Sequence, residues 1–152
     1  MKSGPERELA ARYCDRFEKV APSIGFAFQG VTEKPESLAR DASQRKLDEA
    51  ALLSAHCAAI PGTLLVLLDE TGSMQGSQEF AAFIAAKRDG GTRRMVLAIG
   101  GADGHDVSLR AKAALVLSFG RATWPHQLVR VMAAEQLYRA ATIISGHPYH
   151  RA

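Results

Sequence analysis

Cysteine is nearly missing from this chain: Cys14 and Cys57 stand alone, with no C-x-x-C around either. Two isolated cysteines point to neither a disulfide framework nor a zinc knuckle, and they read as small buried residues of a reducing compartment. Uninterrupted apolar sequence is also short. The longest such region, Ala50 to Leu68, is broken by Ser54, His56 and the Pro61-Gly62 pair, so no membrane span or signal peptide is expected and the protein is read as cytoplasmic. No G-x-G-x-x-G follows any apparent strand, which argues against a Rossmann dinucleotide site, and no phosphate-cradling loop is found. Aromatic residues make up only 7%, with Trp124 the single tryptophan. What is present is 152 residues, 47% hydrophobic and 23% charged, enough for one domain over residues 1–152 with a substantial core.

The net charge of +3 is not spread evenly. Residues 1–120 have fifteen basic and fifteen acidic side chains, whereas Arg121, Arg130, Arg139 and Arg151 face a single acid, Glu135, in the remainder. Three of the five histidines, His126, His147 and His150, share that segment. A neutral body with a basic, histidine-rich end suits a polyanion, RNA above all.

The order of elements predicts a parallel α/β sheet covered by helices. Ser3-Gly4-Pro5-Glu6 has the spacing of a helix start, and Leu9, Tyr13, Phe17 and Val20 recur as one apolar face. Ile24 to Val31 reads as a strand, and residues 32–45 as a loop or weak helix start. A helix over residues 47–59 stops at Pro61-Gly62. Thr63 to Leu68, Arg94 to Ile99 and Ala114 to Ser118 are strands, the first two with the continuous apolar character of strands buried on both faces. Ser77 is expected to cap a helix through Lys87, a short helix covers 108–113, and a long one spans Gln127 to Ile144. That last helix is apolar along Val129, Ala133, Leu137, Ala140 and Ile144 and again at Leu128, Val131 and Met132. Two apolar sides, together with Arg130, Tyr138 and Arg139, favour a dimer interface over a purely internal helix.

Two strand-end loops draw attention. Gly100-Gly101 follows a buried strand, where glycine lets a backbone approach a ligand, although such a pair is also an ordinary turn. Ser118-Phe119-Gly120-Arg121-Ala122-Thr123-Trp124-Pro125-His126 follows the next strand, and the two loops could wall a flat pocket for an aromatic ligand such as adenine. The tail His147-Pro148-Tyr149-His150-Arg151 gathers groups that stack on bases, donate to phosphate and move protons. The three C-terminal histidines fit no common zinc spacing, so no metal is expected. Asp69-Glu70 is unsuited to shared acid-base work because neighbours on a strand point to opposite faces. His56 and His105 read as structural or solvated.

IGGADG, LSFGRATWPHQLVRVMAAEQLYRA and GHPYHR, with LDETGSMQGSQEFA ahead of them, resemble the RlmH family of SPOUT-class methyltransferases. The resemblance runs in order over nearly the whole chain. It implies a Rossmann-like SPOUT fold with a C-terminal deep trefoil knot, a known exception to the avoidance of knots. It also implies a homodimer that uses S-adenosylmethionine to methylate N3 of pseudouridine 1915 in helix 69 of 23S rRNA, on free rRNA or the assembled ribosome. Carried over by position, the cofactor would meet Leu68, the Gly100-Gly101 loop and the run Phe119, Gly120, Arg121, Ala122, Thr123 and Trp124, mostly through backbone groups and apolar walls. Arg139, Tyr149, His150 and Arg151 would face the RNA and the target base. His150 is the first candidate to assist loss of the N3 proton, with Arg151 or Arg139 stabilising the anion or holding phosphate. Relatives open with a hydrophobic strand before their Lys-x-Gly-Pro. Met1 directly precedes Lys2-Ser3-Gly4-Pro5 in this chain, so that first strand is expected to be missing. An alternative stays open: a non-catalytic RNA- or ribosome-binding module with a vestigial cofactor pocket.

Overall fold

A computed structural model of the chain describes residues 4–101 and 103–151. They divide into two compact units, one holding residues up to Thr32, Gly76–Gly90 and the chain from Trp124 onward, the other holding Glu33–Gln75 and Gly91–Thr123.

The second unit is built on a three-stranded parallel sheet. β1 (Thr63–Met74) lies in the middle, β2 (Arg94–Ile99) on one side and β3 (Leu115–Ser118) on the other. In register, Leu68 stands opposite both Ile99 of β2 and Leu117 of β3. The central strand is the most apolar, and Val66 and Leu67 are wholly buried, as a strand covered on both faces requires. Leu65 and Leu67 point one way into a core with Ala50, Ala98 and Leu109, backed by Leu53, Cys57 and Val96. Cys57 is therefore packing material, and burial pushes its thiol up despite Arg94. α2 (Ala42–Ala58) begins several residues earlier than its apolar pattern suggests. The Asp41 carboxylate accepts from the Gln44 N–H at 3.2 Å and so starts the helix inside the polar stretch. Asp106 does the same for α4 (Val107–Lys112), accepting from the Ser108 N–H at 2.9 Å.

The first unit is helical. α5 (His126–Ser145) packs against both α1 (Pro5–Val20) and α3 (Ser77–Asp89). Its buried positions are small, chiefly Ala133, Ala134, Ala140 and Ala141, which lets neighbouring backbones come close.

The structure corrects several expectations. Ile24 to Val31 is not a strand. Ile24 closes a 3₁₀ turn (Ala21–Ile24), Gly25 follows at φ 81°, and residues 26–39 hold no regular element. Phe28 finds a helix instead of a sheet neighbour, edge-on to Phe17 at 5.5 Å between centroids, while Val31 stays exposed. On α1 the expected apolar face is only half covered, since Leu9 is 44% exposed and the buried residue is Ala10. The cap of α3 is Gly76 rather than Ser77. Glu79 reaches back to accept from the Gly76 N–H at 3.0 Å, while the Ser77 hydroxyl donates to Gln136 on α5 at 2.8 Å. The Ser3 start signal lies outside the described residues.

Candidate active site

The register of the sheet brings two chain turns to one edge. Leu68 pairs with Ile99 and Leu117, so the chain that follows Ile99 and Leu117 leaves the carboxyl ends of β2 and β3 on either side of it, while β1 itself runs on to Met74. This is where open α/β sheets bind ligands. Gly100 and Gly101 leave β2, and Phe119 to Thr123 leave β3.

Each turn is held from behind. His105 is buried and its Nε2 lies 3.1 Å from the Leu68 carbonyl oxygen, which can only accept, so Nε2 carries the hydrogen. A Cβ at Gly100 would lie 3.1 Å from the same ring. Burial holds the His105 ring below the ordinary histidine range although Asp69 and the Leu68 carbonyl pull the other way. At Gly101 the contact is tighter: a Cβ there would stand 2.5 Å from Glu49 Oε1. Burial, with Asp103 and Glu36 adding like charge, raises the Glu49 carboxyl. The turn is closed by the Gly104 N–H donating to the Gly101 carbonyl at 3.0 Å and by Arg45 clamping Asp103 at 2.7 and 3.1 Å.

After β3, the buried Ser118 hydroxyl accepts from the Gly120 N–H at 3.0 Å and lies 2.9 Å from the Gly120 carbonyl and 3.1 Å from that of Glu70. The Thr123 hydroxyl donates to Glu70 Oε2 at 3.3 Å. Gly120 has φ 119°, which a side chain would oppose, and open space where its Cβ would be. Asp69 and Glu70 thus serve different partners. Burial would raise the Asp69 carboxyl, but hydrogen bonds from Thr71, with Arg110 at 3.0 Å and His105, hold it below the usual range.

Glycine at positions 100, 101 and 120 keeps side-chain bulk out of the turns that follow β2 and β3.

In the helical unit a second cluster forms around Glu135. Its Oε1 accepts from Arg139 Nε at 2.8 Å and from the Tyr149 hydroxyl at 3.0 Å, and Arg139 NH2 lies 2.6 Å away. Arg139 NH1 meets His150 Nδ1 at 3.1 Å, and its guanidinium covers the Tyr149 ring at 4.9 Å. Tyr149 also packs edge-on to Tyr138 at 4.7 Å. Burial, with hydrogen bonds to Tyr13 and Glu135, pushes the Tyr149 phenol up to about 12. The tail leaves α5 through Gly146, and the His147 N–H donates to the Thr142 carbonyl at 2.9 Å. His147 Nδ1 then accepts from the Tyr149 N–H at 3.2 Å. Chain ends usually fray, but these bonds tie this one down.

The family described as predicted SPOUT methyltransferase matches this chain over residues 1–150. A protein of Mesorhizobium japonicum named ribosomal RNA large subunit methyltransferase H is 59% identical, covering all of this chain and 94% of that protein. Proteins of the same name from Brucella anthropi and Agrobacterium fabrum are each 55% identical, covering 99% of this chain and 93% of theirs. The chain belongs to the SPOUT methyltransferase family.

Within this SPOUT methyltransferase, the residues expected at the cofactor separate by position. Leu68, Gly100, Gly101 and Phe119 to Thr123 sit in the sheet unit, Leu68 within β1 and the others in the turns that follow β2 and β3. Trp124 opens the helical segment and is 43% exposed. Arg139, Tyr149 and His150 are brought into one network, and Arg151 follows as an exposed cation. Sequence reasoning missed His105, Glu49 and Glu135. The first two are far in sequence from the atoms they support and carry no motif. Glu135 had a signal, being the single acid of a basic segment. Among the described residues, no group of three or more His, Cys, Asp or Glu is arranged to hold a metal ion, and no helix is long and apolar enough to cross a membrane.

Proposed function

We propose that this methyltransferase carries a methyl group from S-adenosylmethionine to N3 of the helix 69 pseudouridine of the large-subunit RNA, acting in the cytoplasm as a homodimer. The observation that carries the reading is the pair of glycine-bearing turns that leave β2 and β3 on either side of Leu68, in a chain similar over its full length to proteins named for ribosomal RNA methylation. Membership of the family supports the further reading that the chain acts as one SPOUT domain whose C-terminal part is threaded as a trefoil knot. Leu68, Gly100, Gly101 and the turn from Phe119 to Trp124 would hold the adenosine and methionine parts. When bound, the cofactor supplies an electrophilic methyl on a sulfonium. Methylation would replace the imide hydrogen of N3 by the methyl group, the proton passing to solvent water. The protein's own contribution is chiefly orientation, which is worth about 7–11 kcal/mol where reactants are held in line. Arg139, Tyr149, His150 and Arg151 would hold the RNA and the target base, with charge-assisted donors for phosphate or for the anion that develops on the pyrimidine.

The test has two stages. Calorimetric titration with S-adenosylmethionine is expected to give saturable binding, and ribosomes from a strain lacking the enzyme are expected to gain one methyl group at the helix 69 pseudouridine. Absence of cofactor binding would overturn the reading in favour of an RNA-binding module with a vestigial pocket. Cofactor binding with methyl transfer to another nucleotide would overturn the substrate alone.

A further inference from the structure

The C-terminal network has one centre, and it is not among the residues that the motifs single out. Glu135 Oε1 is shared by Arg139, at 2.8 and 2.6 Å, and by Tyr149, at 3.0 Å, while Oε2 accepts from the Gln136 amide at 3.0 Å. Gln136 is in turn held by the Ser77 hydroxyl at 2.8 Å. The Glu135 side chain is only 16% exposed, so its charge is spent on the protein and not on solvent. Arg139, oriented by that carboxylate, turns NH1 to His150 Nδ1 at 3.1 Å. A guanidinium has donors only and stays protonated, so Nδ1 must accept. The ring is then neutral with its hydrogen on Nε2, and among the described residues no acceptor meets that hydrogen.

We propose that Glu135 is the positioning residue of the tail and that, acting through Arg139, it fixes His150 as an N–H donor toward the pyrimidine. This rests on the methyl-transfer reading above. In this arrangement the N3 proton passes to solvent water, and His150 Nε2–H stabilises the negative charge left on a ring carbonyl oxygen as N3 takes the methyl. The role differs from that of a base: a ring whose Nδ1 is occupied by Arg139 and whose Nε2 is protonated has no lone pair to offer. Tyr149, pinned by the same carboxylate and lying under the guanidinium, keeps the loop from turning away.

The experiment uses the full chain and its Glu135→Gln and Glu135→Ala variants. In wild-type protein, the nitrogen-15 spectrum of the His150 ring in mildly alkaline buffer is expected to show a hydrogen on Nε2 and an acceptor at Nδ1. A hydrogen on Nδ1 would overturn the proposal. Glu135→Ala is expected to lose about 100-fold in kcat, the cost of a small misplacement of reacting groups, with cofactor affinity unchanged. Glu135→Gln retains an acceptor for Arg139 and Tyr149, and it is expected to fall between the two. Ultraviolet titration of the tyrosines should show the highest-titrating phenol moving down in Glu135→Ala. Wild-type kcat in Glu135→Ala would overturn the proposal, as would equal losses in kcat and in cofactor affinity, which mark general unfolding. A wild-type protein that methylates no large-subunit RNA would overturn the functional reading instead, while the ring spectrum would still decide the arrangement of the tail.

Discussion

Gly101 and His105 act on the candidate site in opposite ways, one through a missing side chain and the other through a buried one. A Cβ at Gly101 would stand 2.5 Å from Glu49 Oε1, inside any permitted contact. Gly101→Ala must therefore displace either the turn after β2 or the Glu49 carboxylate. Overpacking of this kind costs about 1–3 kcal/mol. If the turn gives way, cofactor affinity is expected to fall about tenfold or more by calorimetry, together with a melting temperature lowered by about 2–4 °C per kcal/mol. Unchanged affinity would show that Glu49 yields instead. His105 governs a dependence on pH. Its folded value is depressed, chiefly by burial, so the ring is neutral in the native protein and takes up a proton on unfolding below the ordinary value of about 6.5. The unfolded chain then binds more protons, so this stability is complete above that pH and is lost as the pH falls through it toward the folded value. Melting temperatures are expected to drop between neutral and mildly acid solution, and His105→Gln, which keeps an N–H for the Leu68 carbonyl, should flatten the drop. An identical drop in the variant would assign it elsewhere, first to His56, whose ring is also held low by burial.

At the scale of elements, local pattern and tertiary partner decide different things. The cores of β1 and β2 are legible because a continuous apolar run closed by Asp69-Glu70 or Gly100-Gly101 has few other ways to be buried. α3 and α5 are legible from helical spacing and their stop signals. Ile24 to Val31 shows where that logic fails: it alternates like a strand, but it pairs with no strand of the described sheet, and Phe28 packs on Phe17 instead. The extension of β1 through Glu70, Thr71 and Gly72 is equally invisible, because it depends on β3. Leu117 is paired both with Leu68 and, after a shift of register, with Ser73. Gly72 permits this return, since a Cβ there would lie 2.6 Å from the Val116 carbonyl oxygen. Backbone cannot swing aside as a flexible side chain can, so Gly72→Ala is expected to destabilise by about 1–3 kcal/mol. For a chain of this size that lowers the melting temperature by about 2–4 °C per kcal/mol. An unchanged melting curve would mean that the shifted pairing contributes little. The candidate site divides along the same line. Its glycine turns, its tail and the lone acid Glu135 carry signals in the sequence, whereas Glu49 and His105 became visible only once they were placed against Gly101 and Leu68.

The whole molecule separates chemistry from charge. The strand-end turns proposed to hold the cofactor belong to a unit built from residues 33–75 and 91–123, and the net positive charge lies beyond residue 120, largely in the helical unit. If that basic segment holds RNA, its contribution is mainly the release of counterions from phosphate, and this has a signature that base recognition lacks. Arg151 is the clearest probe. It is exposed, and the bonds of the network that Glu135 organises run to Arg139, Tyr149 and His150 and not to it. In a plot of log affinity for the helix 69 stem-loop against log salt concentration, Arg151→Ala is expected to reduce the slope by about 0.7–0.9, the value for one lost phosphate contact. Binding should weaken by a similar factor on unrelated RNA hairpins, because phosphate contacts carry no sequence. If the strand-end turns hold the cofactor as proposed, its affinity should not move with Arg151→Ala. If weakening is confined to helix 69 with no change of slope, Arg151 reads the target nucleotide, and the general electrostatic grip must come from Arg121 and Arg130.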